Sequence, residues 1–187
     1  MELFLVILLI VAVVAVLGAI VFYNGLVRKR NTVDEALAQI EVQLKRRHDL
    51  VPNLVAAVRD YMSFEQDVLT KVTEARANAV AAGAKGVAEQ SAAENQLTGA
   101  LRSLFAVAEN YPTLKANENV LSLQEQLTTT ENQISFARQY YNSSVLEFNT
   151  SIQTFPGNIV AGSFGFSKRD FFEAEPEADQ VPTVALR

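Results

Sequence analysis

From Leu3 to Phe22 about twenty residues pass without one charged or strongly polar side chain, and Arg28-Lys29-Arg30 follow closely. At ~1.5 Å of rise per residue, a helix of that length crosses a hydrocarbon core of ~30 Å. Backbone amides in lipid must be bonded within the segment, and a helix does this. The run therefore predicts a single transmembrane helix before anything else about the chain is considered.

A cleaved secretory signal fits the run poorly. Such a signal has a basic stretch ahead of a core of ~7–15 apolar residues and then a small-residue cleavage site. Here Met1-Glu2 precedes the core, and Ile20, Val21 and Phe22 continue past Gly18-Ala19. No cysteine is present for lipid attachment. Lys and Arg bias sets orientation: Arg28, Lys29 and Arg30, then Lys45, Arg46 and Arg47, all lie on the C-terminal flank. This predicts an N-terminus outside and the bulk of the chain in the cytoplasm. Ala15 and Ala19 make a small-xxx-small pair, a weak helix-packing signal inside the span.

Beyond the anchor, few Gly and Pro and many Ala, Leu, Glu, Gln and Asn favour helix, and no alternating strand pattern precedes residue 156. Of the net charge of -5, most belongs to Asp170, Glu173, Glu175, Glu177 and Asp179. The absence of a basic face argues against nucleic acid as a partner.

Four helical stretches follow from apolar spacing. Val33, Leu37, Ile40 and Leu44 form one stripe, on a helix that starts near Tyr23 or runs on from the anchor across Asn24-Gly25. A second helix is expected to begin at Asp49 as its cap, with Pro52 in the first turn, and to carry Leu54, Val58, Tyr61, Val68, Val72, Ala75 and Ala79. Gly83 and Gly86 end it. The third carries Leu97, Leu101, Leu104, Phe105 and Ala108 and stops before Tyr111-Pro112. In the fourth, Val120, Leu127, Ile134, Tyr141, Phe148 and Phe155 recur every seven residues, with Leu123, Ala137, Val145 and Ile152 beside them. A sustained heptad marks helices wound about one another as in a coiled coil. The expected fold is all-α: the anchor (1–23), then an elongated antiparallel up-and-down four-helix bundle (24–155).

Phe164, Phe166, Phe171 and Phe172 crowd into the segment 156–173, where Gly162-Ser163-Phe164-Gly165 reads as a loop. Each Phe is worth ~1.5–3 kcal/mol if fully buried, so these rings are expected to dock on the bundle, a partner or the membrane interface. The acidic tail 174–187 is expected to be disordered.

Sites of chemistry are scarce. His48 is the single histidine and no cysteine occurs, so zinc, iron–sulfur and di-iron centres find no ligand set. No phosphate-binding loop or nucleophile elbow appears. No catalytic, metal or cofactor-binding residue is assigned, and no enzyme is expected. Instead, polar residues repeat close to the apolar stripes: Arg46, Arg47, His48, Asp49, Asn53, Asn117, Glu118, Asn119, Glu131, Asn132, Arg138, Asn142 and Asn149. Polar groups at a seam cost stability but can set register and partner choice. An Arg at 46, 47 or 138 is expected to satisfy Glu118 or Glu131 across helices.

Several separated blocks, in order, resemble the LemA family of bacterial membrane proteins: Tyr23-Asn24 with Leu26-Val27, then Lys45 to Leu54, then Tyr111-Pro112 with Leu114 to Asn119. Glu131-Asn132, Arg138, Tyr141-Asn142, Asn149, Phe155-Pro156 and Phe164-Gly165-Phe166 complete the pattern, while Leu37 and Val120 stand where larger aromatics are frequent. The resemblance implies a single-span anchor in the inner membrane, a cytoplasmic helical body, and envelope partners such as a membrane metalloprotease. Through relatives in magnetosome membranes it also implies a membrane-organising role. It implies no catalytic residue. The combined expectation is an anchored, self-associating scaffold or adaptor, with a membrane-shaping protein on anionic lipid as the alternative.

Overall fold

The computed structural model describes residues 1–62 and 64–172. Its described residues are all helical or irregular, with no strand. The helices are α1 (Glu2–Arg59), α2 (Gln66–Ala82), α3 (Val87–Ala108), α4 (Pro112–Lys115), α5 (Glu118–Gln153) and α6 (Gly157–Phe164). Two compact units emerge among the described residues: one holds Met1–Gln39 with Gln139–Asp170, the other Ile40–Arg138 with Phe171 and Phe172. The expected acidic tail 174–187 lies outside the described residues.

Helix α1 is one rod of 58 residues. Its first part is long and apolar enough to cross a membrane, and none of that window is buried within the protein. Asn24-Gly25 does not interrupt it; one glycine costs only ~1 kcal/mol against alanine. The helix expected to begin at Asp49 does not begin there. α1 runs straight through Asp49, which is exposed, and through Pro52. Proline has no N–H to give the carbonyl four residues back. That carbonyl, on His48, takes a bond from Arg76 Nε at 2.7 Å instead. A side chain from α2 thus satisfies the oxygen that Pro52 cannot.

The real break falls at 60–65, inside the stretch expected to be continuous helix. No Gly or Pro marks it. Tertiary contacts do: Met62 is fully buried, the Tyr61 hydroxyl accepts from Asn117 Nδ2 at 3.1 Å, and the Tyr111 hydroxyl donates to Glu65 at 3.3 Å. Between α2 and α3, Gly86 has φ of 116°, which a side chain resists.

The core of the Ile40–Arg138 unit joins Val51, Leu54 and Val58 of α1, Leu69 and Val72 of α2, Leu97 and Leu101 of α3, Leu114 of α4 and Leu127 of α5. On α5 the heptad positions Val120, Leu127, Ile134, Tyr141 and Phe148 are all buried. Phe155 departs from the expectation: it lies beyond the helix end and is 80% exposed. Asn117 caps α5, its Oδ1 accepting from the amides of Asn119 (3.0 Å) and Val120 (3.2 Å).

In the other unit Gly162-Ser163-Phe164 is helix rather than loop, as part of α6. The helix ends at Gly165, whose φ of 71° is left-handed. A Cβ on Gly157, at the α6 start, would lie 2.3 Å from the Ser151 carbonyl oxygen, so only glycine fits there.

Candidate functional site

Within the Ile40–Arg138 unit, polar residues converge where the apolar seam would otherwise be greasy. The buried stripe of α1 reads Ile40, Leu44, Arg47, Val51, Leu54 and Val58, a three-four spacing with a guanidinium in one seam position. The buried stripe of α3 reads Gln90, Glu94, Leu97, Leu101 and Leu104, with a carboxylate in the corresponding kind of position. Helical periodicity alone points these two charges into the core.

Arg47 is fully buried. Its NH2 group donates to the Glu94 carboxylate and reaches the Glu94 carbonyl at 3.4 Å. Its NH1 group donates to Glu131 of α5 and to Thr98 Oγ1 at 2.9 Å. One guanidinium therefore ties α1, α3 and α5. Its Nε is buried without a hydrogen-bond partner. His48 Nε2 lies 2.8 Å from Glu94 Oε1. An ionised carboxylate only accepts, so this nitrogen carries the proton.

Burial pushes the Glu94 carboxyl up, but the His48 hydrogen bond and the charge and hydrogen bond of Arg47 outweigh it and hold the group below its ordinary value. A carboxylate so held is a weak proton acceptor at neutral pH. Glu131 is partly open, at 35% side-chain exposure. It lines a cleft of about 160 Å³ with Arg47, Thr98, Phe105, Thr128 and Asn132. Among the described residues no cluster of three or more His, Asp or Glu is placed to hold a metal. The arrangement suits fixing helix register, because a buried charge leaves its partners only if it stays uncompensated, at a cost of several kcal/mol.

The other expected site residues disperse. Arg46, Asp49, Asn53, Glu118, Asn119 and Asn132 are exposed, so nearness to a stripe did not put them on it. Glu131 pairs with Arg47, as expected of one of the three arginines, whereas Glu118 lies in the exposed first turn of α5. Arg138 donates to Asn95 Oδ1 at 3.2 Å and sits over the Phe172 ring at 4.7 Å. Asn142 is half-buried. Glu94, Thr98 and Arg76 were missed. Glu94 had a legible signal, since it stands three and seven residues ahead of Leu97 and Leu101 on the same stripe.

In the unit of Met1–Gln39 and Gln139–Asp170 the polar contacts are of another kind. Asn149 Nδ2 donates to the Arg169 carbonyl and its Oδ1 accepts the Arg169 amide, both at 2.9 Å. The Tyr141 hydroxyl donates to the Asp170 carbonyl at 2.9 Å. Burial pushes that phenol up; Arg169 opposes the shift, and Asp170 and Asp34 add to it. Of the expected membrane-flanking cations, Lys29 meets Glu147 at 3.1 Å and Ser151 at 2.7 Å. Arg28 is exposed, and Arg30 lies 5.4 Å over the Phe166 ring.

A model of the LemA family matches residues 36–186. The chain belongs to the LemA family. The match takes in every member of the Arg47 cluster. This LemA-family chain is 29% identical over 167 residues to protein LemA of Metamycoplasma hominis, covering 88% of this chain and 75% of that one. It is also 26% identical over 199 residues to magnetosome protein MamQ 2 of Paramagnetospirillum magneticum, covering 89% and 73%. Magnetosome protein MamQ of Magnetospirillum gryphiswaldense is 25% identical over 182 residues, covering 84% and 66%.

Proposed function

We propose that this LemA-family chain is a non-enzymatic scaffold held in the bacterial inner membrane by one span. Its N-terminus lies outside, its body is cytoplasmic, and it self-associates and binds envelope protein partners, a membrane metalloprotease among the candidates. The observation that carries this reading is the continuity of α1: the same 58-residue helix supplies the apolar, unburied segment and the helix into which Arg47 is built. Tethering confines the body to two dimensions, which raises local concentration and lets weak contacts between copies matter. Lys29 and Arg30 beside the span support the orientation.

Gentle solubilisation followed by sizing and crosslinking tests self-association; a strict monomer at every concentration defeats it. Reporter fusions at both ends test orientation, and a C-terminus beyond the bilayer defeats that. The second reading, a membrane-organising protein on anionic lipid, is favoured by the two MamQ relatives. Cationic side chains near such a surface contribute ~1 kcal/mol each. In a chain shortened by residues 1–23, charge reversal at Arg28, Lys29 and Arg30 that leaves vesicle association unchanged removes it.

A further inference from the structure

The aromatic segment near the C-terminus does not act as one body. Phe166 is half-buried, with its ring 5.8 Å from Tyr23 and 6.3 Å from Phe148, and Phe172 is buried under Arg138. Other apolar side chains around α6 face out: Phe155 is 80% exposed, Ile159 60% and Phe164 62%. So much exposed apolar surface on a short element marks a contact. Their place in the fold says with what.

The start of α6 is pinned by Gly157 against the Ser151 carbonyl, and Ser151 Oγ accepts from Lys29 Nζ at 2.7 Å. Its end is pinned by Phe164, whose ring lies 4.8 Å from Tyr23. α6 therefore runs alongside Tyr23 to Lys29, the first two turns of α1 after the apolar stretch closes at Phe22. With twenty apolar residues filling ~30 Å of hydrocarbon, those turns stand in the headgroup zone, where Tyr rings settle. An element with apolar side chains outward at that depth, flanked by exposed Arg28 and Lys168, has the make-up of an interfacial helix.

We infer that α6 is a second membrane contact: Phe155, Ile159 and Phe164 enter the lipid headgroup–acyl boundary beside the span and fix the tilt and rotation of α1. A lone helix turns freely about its axis, and a side contact in the boundary removes that freedom. This inference rests on the anchoring reading of α1 and goes beyond it.

The chain contains no cysteine, so single substitutions can each carry one environment-sensitive fluorophore on the full-length protein. Ile159→Cys and Phe164→Cys report on α6; Phe155→Cys reports from outside any helix and cannot unfold one. Val13→Cys reports on the span, and Phe136→Cys, at a residue 70% exposed in the other unit, serves as the reference. The proteins are placed in phosphatidylcholine–phosphatidylglycerol vesicles bearing nitroxide lipids, with the nitroxide either near the headgroup or deep in the acyl chain. The expected result is a blue shift and loss of emission to the shallow nitroxide at 155, 159 and 164, loss to the deep nitroxide at 13, and neither at 136. Deep quenching at 13 with 155, 159 and 164 behaving like 136 overturns the inference and leaves the anchor intact. A blue shift at the three positions without loss to either nitroxide means that protein covers them, which also overturns it. No quenching at 13 defeats the anchor itself, and this inference with it.

Discussion

The two units solve the same problem, holding long helices in one register, by opposite means. In the Ile40–Arg138 unit the lock is ionic and buried: Arg47 between Glu94 and Glu131, with the Arg47 and Glu94 side chains wholly shielded from solvent. In the unit of Met1–Gln39 and Gln139–Asp170 the ion pairs are exposed. Arg169 and Asp34 meet at 3.0 Å with side-chain exposures of 44% and 54%. The buried bonds there run from the neutral side chains of Asn149 and Tyr141 to the backbone. Desolvation makes the difference. A buried charge stripped of its partner is costly, whereas an exposed pair is screened and nearly expendable. The first unit should therefore tolerate far less change at its polar positions than the second.

The largest effect is expected at Arg47. Arg47→Met leaves Glu94 buried without its cation and should cost ~3–5 kcal/mol, read as a lowered denaturant midpoint of the full chain in detergent. Arg47→Met combined with Glu94→Leu should recover much of that loss, because two apolar side chains leave no buried charge behind. A single-variant cost near that of a surface substitution would erase the contrast between the units.

Acid sharpens the same comparison. The folded-state carboxyl of Glu94 sits below its usual value near 4.5. Its stabilising contribution is therefore fully present above that value and is lost as pH falls through the lowered one. Unfolding midpoints should drop over that acidic window, and Glu94→Gln should flatten this part of the profile while lowering stability at neutral pH. An unchanged acid limb in Glu94→Gln would show that the carboxylate gains nothing from its partners.

A middle-sized effect belongs to Asn149. Asn149→Ala removes two hydrogen bonds to Arg169, each worth ~0.5–1.5 kcal/mol net. Unfolding should become easier by about the sum, and amide exchange at Arg169 should speed up. The smallest is at the exposed pair: Asp34→Ala should change stability by ~0–1 kcal/mol and less in high salt. An Asp34 effect as large as that of Arg47 would overturn the division between the units.

Much of the fold was legible because periodicity is a property of the chain. The heptad of α5 survives as buried Val120, Leu127, Ile134, Tyr141 and Phe148, and Gly83 and Gly86 do separate α2 from α3. The error at Asp49-Pro52 came from reading proline by its local effect. The missing bond is made good from Arg76, twenty-eight residues away, which no window of sequence includes. The turn at 60–65 carries no breaker residue and is held by distant Tyr111 and Asn117. At the candidate site, Arg47 and Glu131 stood out as charges near stripes. Glu94 was overlooked because its stripe was traced from the leucines that follow it.

By itself, then, the sequence determined the apolar crossing length, the helical class and which faces must be buried, since each follows from side-chain chemistry at fixed helical spacing. Only the tertiary structure decided where the long helix stops, which carboxylates claim Arg47, and which phenylalanines face outward. Those outcomes depend on groups far apart in the chain meeting in space, where desolvation and a distant donor outweigh local preference.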